Sequence, residues 1–144
     1  MDKEIKLCFV CTGNTCRSIM AERLLKKVMK DRKIKGLKVS SRGINALGDN
    51  ISSQAKIILK RFCASDKDRK SIKLRKTDKN TLYVAMTDNI KRQIEGRAIS
   101  MKDLLGYDIT DPYGQGLEVY NETAVQLLEG IDVLLTKILN VRSK

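Results

Sequence analysis

From Glu4 to Val10 the chain is a β-prone apolar run that stops at a turn of small polar residues around Gly13, the pattern of a buried strand. The period then changes. Met20, Leu24 and Val28 fall four apart with Ala21 and Leu25 beside them, which predicts a helix from Ser18 to about Lys30. Leu37 to Ser41 reads as a second strand closed by Gly43, and behind an expected N-cap at Ser52 the residues Ala55, Ile58, Leu59 and Phe62 make a second helical stripe. Thr81 to Met86 predicts a third strand, Thr87 to Gln93 a short helix capped by Thr87, and Ala98 to Met101 a short fourth strand. After a polar loop rich in Gly and Asp, Tyr120, Ala124, Leu127, Leu128, Ile131, Leu135 and Ile138 mark a long final helix, in which Gly130 costs about 1 kcal/mol of helix propensity. Strands alternating with helices predict an α/β fold with a parallel sheet, helices on both faces, and ligands at the carboxyl ends of the strands.

Composition narrows the chemistry. A chain of 144 residues, 42% apolar and with one Pro, is expected to fold as a single domain spanning residues 1–144. Lys and Arg number 29 against 17 Asp and Glu, a formal net charge of +12, so anionic partners are expected. No His is present, which removes every Ser/His/Asp or Cys/His pair and the commonest metal ligand. Any acid or base must be Asp, Glu, Lys, Tyr or Cys. Charged residues near the start and short apolar runs leave no secretory or membrane-spanning pattern, and a cytoplasmic protein with no membrane partner is expected. The cysteines at 8, 11, 16 and 63 lack a second cluster that would complete a metal site, so no metal or cofactor is expected.

Directly after the first strand comes Cys11-Thr12-Gly13-Asn14-Thr15-Cys16-Arg17-Ser18, a C-x5-R-S motif. Five intervening residues let the backbone curl into a cradle whose N–H groups point inward, and Arg17 opens the helix that follows. Such a phosphate-binding loop after strand 1 suits a tetrahedral oxyanion. Arg17 adds a bidentate fork, which Lys would replace only by a point charge. The same positive groups favour the thiolate of Cys11, the nucleophilic form, poised for in-line attack on phosphorus and formation of a phosphocysteine that water hydrolyses. A nucleotide-binding P-loop would end Gly-Lys-Ser/Thr rather than Cys-Arg-Ser. Displacement requires an acid for the leaving group, and Asp111 in Asp111-Pro112-Tyr113-Gly114 is the candidate, with Pro112 stiffening the loop and Tyr113 walling the slot above the phosphate.

Phe9-Val10-Cys11-Thr12-Gly13-Asn14-Thr15-Cys16-Arg17-Ser18 with Met20-Ala21-Glu22, and Asp111-Pro112-Tyr113-Gly114 about a hundred residues later, resemble the low-molecular-weight protein tyrosine phosphatases in order, spacing and length. The resemblance implies a four-stranded parallel sheet flanked by helices, Cys11 as nucleophile, Arg17 as phosphate clamp and Asp111 as general acid and then base. It also implies that Asn14, Ser18 and Ser41 hold the loop and the thiolate by hydrogen bonds, phosphorylated proteins being the substrates and inorganic phosphate a product. Two departures stand out: Arg42 replaces the family's small residue before the glycine, and Ile19 replaces its usual Pro.

Thr15 bears on the substrate. Tyrosine-directed members tend to carry a branched apolar residue there, whereas bacterial protein-arginine phosphatases resemble this chain in having Thr, so phosphoarginine is the expected substrate and phosphotyrosine the alternative. A thioredoxin-coupled arsenate reductase shares the cradle but needs a mid-chain cysteine pair, and only Cys63 is present. A non-catalytic basic module binding phosphate or nucleic acid would have no use for Asp111. Cys16 lies close enough along the loop to Cys11 for either an oxidative disulfide or simple packing; Cys8 and Cys63 are expected to pack in the core. Between Lys56 and Asn80 stand ten Lys or Arg and three Asp, read as a solvated basic face or as a steering patch for anions. No Trp, two Phe and four Tyr leave few stacking platforms, which counts against nucleic acid.

Overall fold

A computed structural model describes residues 4–142. The strands are β1 (Ile5–Cys11), β2 (Leu37–Gly43), β3 (Thr81–Ala85) and β4 (Ala98–Ser100), and the helices are α1 (Arg17–Arg32), α2 (Ser53–Arg61), α3 (Asp88–Arg92), α4 (Met101–Leu105) and α5 (Leu117–Arg142). The four strands form one parallel sheet in the order β2-β1-β3-β4. β1 therefore has a neighbour on each side, and its run Leu7 to Val10 is buried on both faces, as the unbroken apolar sequence requires. The order places the C-terminal end of β1 at the sheet's centre, beside the point where successive connections leave in opposite directions.

Parallel register puts Leu7, Phe9 and Cys11 on one face with Val39 and Ser41. α1 packs there, against β1, β2 and α5, and α2 completes this layer by packing on α1 and α5. Cys8, Ser40, Arg42 and Tyr83 lie on the opposite face. Here α3 packs on β3 and β4, and the irregular segment 71–78 runs beside β2, with Gly43 N–H donating to Ile72 O and Leu74 N–H to Gly43 O.

Ser52 and Thr87 are the N-caps expected, each hydroxyl accepting the backbone N–H three residues on, from Ala55 and Ile90 respectively at 3.1 Å. The fourth strand ends at Ser100, and Met101 instead opens α4. Ser100 accepts from Asp103 N–H while the Asp103 carboxylate accepts from Ser100 N–H, a reciprocal cap that begins a helix at once. Gly130 is more than a tolerated break: a Cβ there would lie 2.5 Å from the buried Met101 sulfur, so the glycine lets α4 approach α5.

Cys63 corrects an expectation. α2 ends at Arg61, and Cys63 follows its C-cap in a left-handed conformation, φ 59°, with the residue exposed instead of continuing the apolar stripe. Cys8 is core, as expected, and burial pushes its thiol above the ordinary range. Among the described residues, no helix is long and apolar enough to cross a membrane.

Candidate active site

The cradle is residues 11–17, between the end of β1 and the first turn of α1. Its carbonyls are tied outward: Cys11 O, Thr12 O and Thr15 O accept from the N–H groups of Ile44, Asn45 and Ser52. Gly43 lets the second strand pass close beneath, since a Cβ there would stand 2.7 Å from Thr12 O and 2.9 Å from the Gly13 carbonyl carbon. The curl turns at Asn14, which takes φ 59°.

Asn14 is 1% exposed and its carboxamide is fully engaged. Its Nδ2 donates to Ser18 Oγ at 2.8 Å and to Ser41 Oγ at 3.0 Å, while its Oδ1 accepts from Arg69 Nη1 at 3.1 Å and from Ile72 N–H at 3.0 Å. Asn14 N–H points at Cys11 Sγ, 3.2 Å away, and Ser18 Oγ lies 2.9 Å from the same sulfur. Ser18 Oγ also lies 3.3 Å from Arg42 O, so its one proton goes to either the sulfur or the carbonyl. Ser41 donates to Glu22 Oε1 at 2.7 Å and accepts from Arg69 Nη2 at 2.6 Å.

This arrangement links Asn14, Ser18 and Ser41 to the Cys11 sulfur and adds Arg69, which no motif contains, and Glu22, to which the motif assigned no role. Arg69 lies 3.5 Å from the buried Glu22 carboxylate, and Glu22 is further paired with Lys26 at 2.7 Å. Burial is the main influence lowering the Arg69 pKa, with Arg23 and Arg42 acting in the same sense and Glu22 against them. The missed signal is Glu22 itself: four residues after Ser18 and three before Leu25, it lies on the buried side of α1, where a carboxylate requires a cation.

Arg17 is buried and donates through Nη1 to Ile109 O at 3.1 Å, with Nη2 3.6 Å from Asp111 Oδ2. Asp111 is held by its own loop, one oxygen accepting from Tyr113 N–H at 3.1 Å. That loop is anchored to α5, where Gln126 accepts from Thr110 N–H and donates to Thr110 Oγ1, and Thr123 donates to Thr110 O. Pro112 is buried beneath, while Tyr113 is 76% exposed.

The cradle, Asp111 and Tyr113 thus meet in one cavity of about 310 Å³, closed on the other side by Asn45, Leu47 and Asp49 from the segment after β2. Those three residues carry no motif and were not foreseen. Thr15 lines the cavity with its hydroxyl 3.7 Å from Cys16 Sγ. The Cys16 sulfur is a free thiol, 3.2 Å from Tyr120 Oη and 3.6 Å from Ser52 Oγ. Burial first, and this contact with Cys16 second, push the Tyr120 hydroxyl up to about 12.

A buried sulfur at the floor of a curled loop, a buried guanidinium beside it and a carboxylate across the mouth form, at the end of a parallel α/β sheet, an arrangement that suits phosphoryl transfer. The sequence profile of the low molecular weight phosphotyrosine protein phosphatases matches residues 6–143, and the chain belongs to that family. It is 33% identical over 142 residues to the low molecular weight protein-tyrosine-phosphatase PtpB of Staphylococcus haemolyticus, covering 92% of this chain and 99% of that protein. It is 35% identical over 145 residues to a protein-arginine-phosphatase of Geobacillus stearothermophilus, covering 92% and 95%. The structure of the YwlE arginine phosphatase from the same organism superposes with a TM-score of 0.83 at 33% identity, over 96% of this chain and 95% of that one. The protein is accordingly a phosphatase of this family, with phosphoprotein substrates.

Proposed function

We propose that the protein hydrolyses phosphoarginine in cytoplasmic proteins, through a phosphocysteine, as one catalytic domain. Thr15 carries this reading. It stands in the cradle wall, where a hydroxyl gives a guanidinium or an attacking water a hydrogen-bond partner that an aliphatic side chain lacks. The similarity to a Geobacillus arginine phosphatase supports it, although the identity to a staphylococcal tyrosine phosphatase is nearly equal.

In this mechanism the cradle N–H groups and Arg17 bind the phosphoryl oxygens, and Arg17 leaves its 3.6 Å contact with Asp111 to share its fork with them. The Cys11 thiolate, supported by Asn14 N–H and Ser18 Oγ, attacks phosphorus in line. The P–N bond of phosphoarginine breaks as Asp111 gives its proton to the departing guanidine nitrogen. Asp111 then takes a proton from the water that attacks the phosphocysteine, the S–P bond breaks, and inorganic phosphate leaves with Cys11 again a thiolate.

A phosphotyrosine reading has its own observation. Leu47 and Tyr113, 84% and 76% exposed, flank the cavity as two apolar walls that fit a phenyl ring. Rates on phosphoarginine and phosphotyrosine peptides decide between them. Phosphoarginine is expected to be the faster substrate, with Thr15→Ile reversing the order; equal or faster phosphotyrosine turnover by the unsubstituted protein rejects the arginine assignment.

A further inference from the structure

On the sheet face opposite α1 lies a second cavity, of about 340 Å³, that shares no lining residue with the first. Its floor is the sheet, with the hydroxyls of Ser40 and Tyr83. Its walls carry Arg42 from β2 and Lys73, Arg75 and Lys76 from the segment that runs beside β2. No carboxylate lines it. Among the described residues Lys73, Arg75 and Lys76 have no ion-pair partner, and the Arg42 guanidinium donates to Ser41 O. The nearby Asp78 is already committed to Asn80 N–H, Thr81 Oγ1 and, at 3.9 Å, Lys6.

Four cations around one concavity repel one another unless an anion enters, and low-dielectric walls concentrate their field inside it. Two of the four are guanidiniums, whose planar forks match phosphoryl oxygens, and two are ammoniums acting as point charges. Tyr83 Oη accepts from Asp78 N–H at 2.8 Å, which leaves its own proton to donate. The volume suits a small ligand, and the charge suits one bearing several negative charges.

We propose that this cavity is a second anion site, separate from the Cys11 cradle, that binds an oligophosphate group, either free or carried by a nucleotide. Of the four cations, Arg42 is the one that belongs to the sheet itself. The other three cations ride on a segment fixed to it by the Gly43 hydrogen bonds, so the walls are built before the ligand arrives.

The test is calorimetric titration of inorganic tripolyphosphate into the full chain with saturating orthovanadate in the Cys11 cradle. One tripolyphosphate per chain is expected to bind. Arg75→Glu with Lys76→Glu, both exposed in the wild-type protein, should weaken it at least tenfold and leave p-nitrophenyl phosphate hydrolysis unchanged. Lys60→Glu with Arg61→Glu, exposed on α2, makes the same change in net charge and should leave the affinity within about twofold. ATP in place of tripolyphosphate separates the two sources: comparable affinity points to a nucleotide-borne group, exclusion of ATP to free oligophosphate. Loss of all binding under vanadate, or equal weakening by both double substitutions, overturns the proposal. So does an acidic peptide or a nucleic-acid duplex binding tenfold more tightly than tripolyphosphate, which makes the face a macromolecular surface.

Discussion

Replacing Asn14 tests how the cradle is held in shape. The residue is 1% exposed, takes φ 59° and joins four partners through its carboxamide: Ser18, Ser41, Arg69 and the Ile72 amide. A neutral hydrogen bond nets about 0.5–1.5 kcal/mol, one to a charged group more, and a buried partner left unpaired costs about 1–3 kcal/mol. Some partners keep other bonds, as Ser41 keeps Glu22, so the loss of the carboxamide comes to about 3–4 kcal/mol rather than the sum of all four. Alanine adds the left-handed backbone penalty of about 1 kcal/mol, which glycine does not incur. Asn14→Ala should therefore destabilise by about 4–5 kcal/mol, and Asn14→Gly by about 1 kcal/mol less.

Urea unfolding followed by far-ultraviolet circular dichroism reads both values. With a slope of about 2 kcal/mol per molar for a domain of this size, the alanine midpoint falls by about 2 M. Since such domains are stable by only about 5–15 kcal/mol, the variant would stand close to unfolding. A loss under about 1 kcal/mol for both variants would falsify the idea that the carboxamide braces the cradle. Alanine and glycine values that coincide would show that nothing imposes the left-handed turn.

Three further outcomes follow from the site. Cys11→Ser should abolish turnover while vanadate binding persists, measured by calorimetry; appreciable hydrolysis by that variant rejects the covalent path. Asp111→Asn should lower kcat by about a hundredfold or more on substrates that need a protonated leaving group, and less on p-nitrophenyl phosphate, whose leaving group departs as a weak base; an equal loss on both contradicts the role as acid. The Tyr120 hydroxyl is pushed up to about 12 in the fold, whereas an unfolded tyrosine ionises near 10, so the stability it contributes is whole below pH 10 and is lost as pH rises through about 12. Tyr120→Phe should flatten that decline in denaturation measured at pH 9 and pH 11, and parallel declines would exclude the tyrosine as its source.

How much of this was legible follows from how far apart the interacting residues lie in sequence. The caps at Ser52 and Thr87 and the C-x5-R-S cradle are contiguous patterns, in which one residue acts on another a few positions away, so spacing alone reveals them. α4 was readable by the same rule, because Ser100 and Asp103 stand in capping-box spacing, but the apolar Ala98 to Met101 run drew attention to strand period instead. Cys63 lies outside the apolar stripe because α2 ends at Arg61 and the backbone turns left-handed two residues later, a termination that helical periodicity does not signal.

The basic segment 56–80 resists reading for a different reason: a sum of charges does not say which side chains turn inward. The structure divides the segment into three parts. Lys56 pairs with Asp68 at 3.2 Å, Arg69 enters the sheet's α1 side to meet Glu22, Ser41 and Asn14, and Lys73, Arg75 and Lys76 cross to line the cavity on the opposite face. What selects Arg69 from ten cations is a carboxylate elsewhere. Glu22 on the buried side of α1 pairs through Oε2 with Lys26 and turns Oε1 toward Ser41, and the cation that meets Oε1 there also reaches Asn14 and Ser41, for which a planar guanidinium offers two nitrogens at a fixed separation and an ammonium only one. Arg69→Lys should therefore loosen the cradle even though charge is conserved, because the two donors are Nη1 and Nη2 of one rigid fork and lysine supplies a single nitrogen; a urea midpoint equal to that of the unsubstituted protein contradicts this.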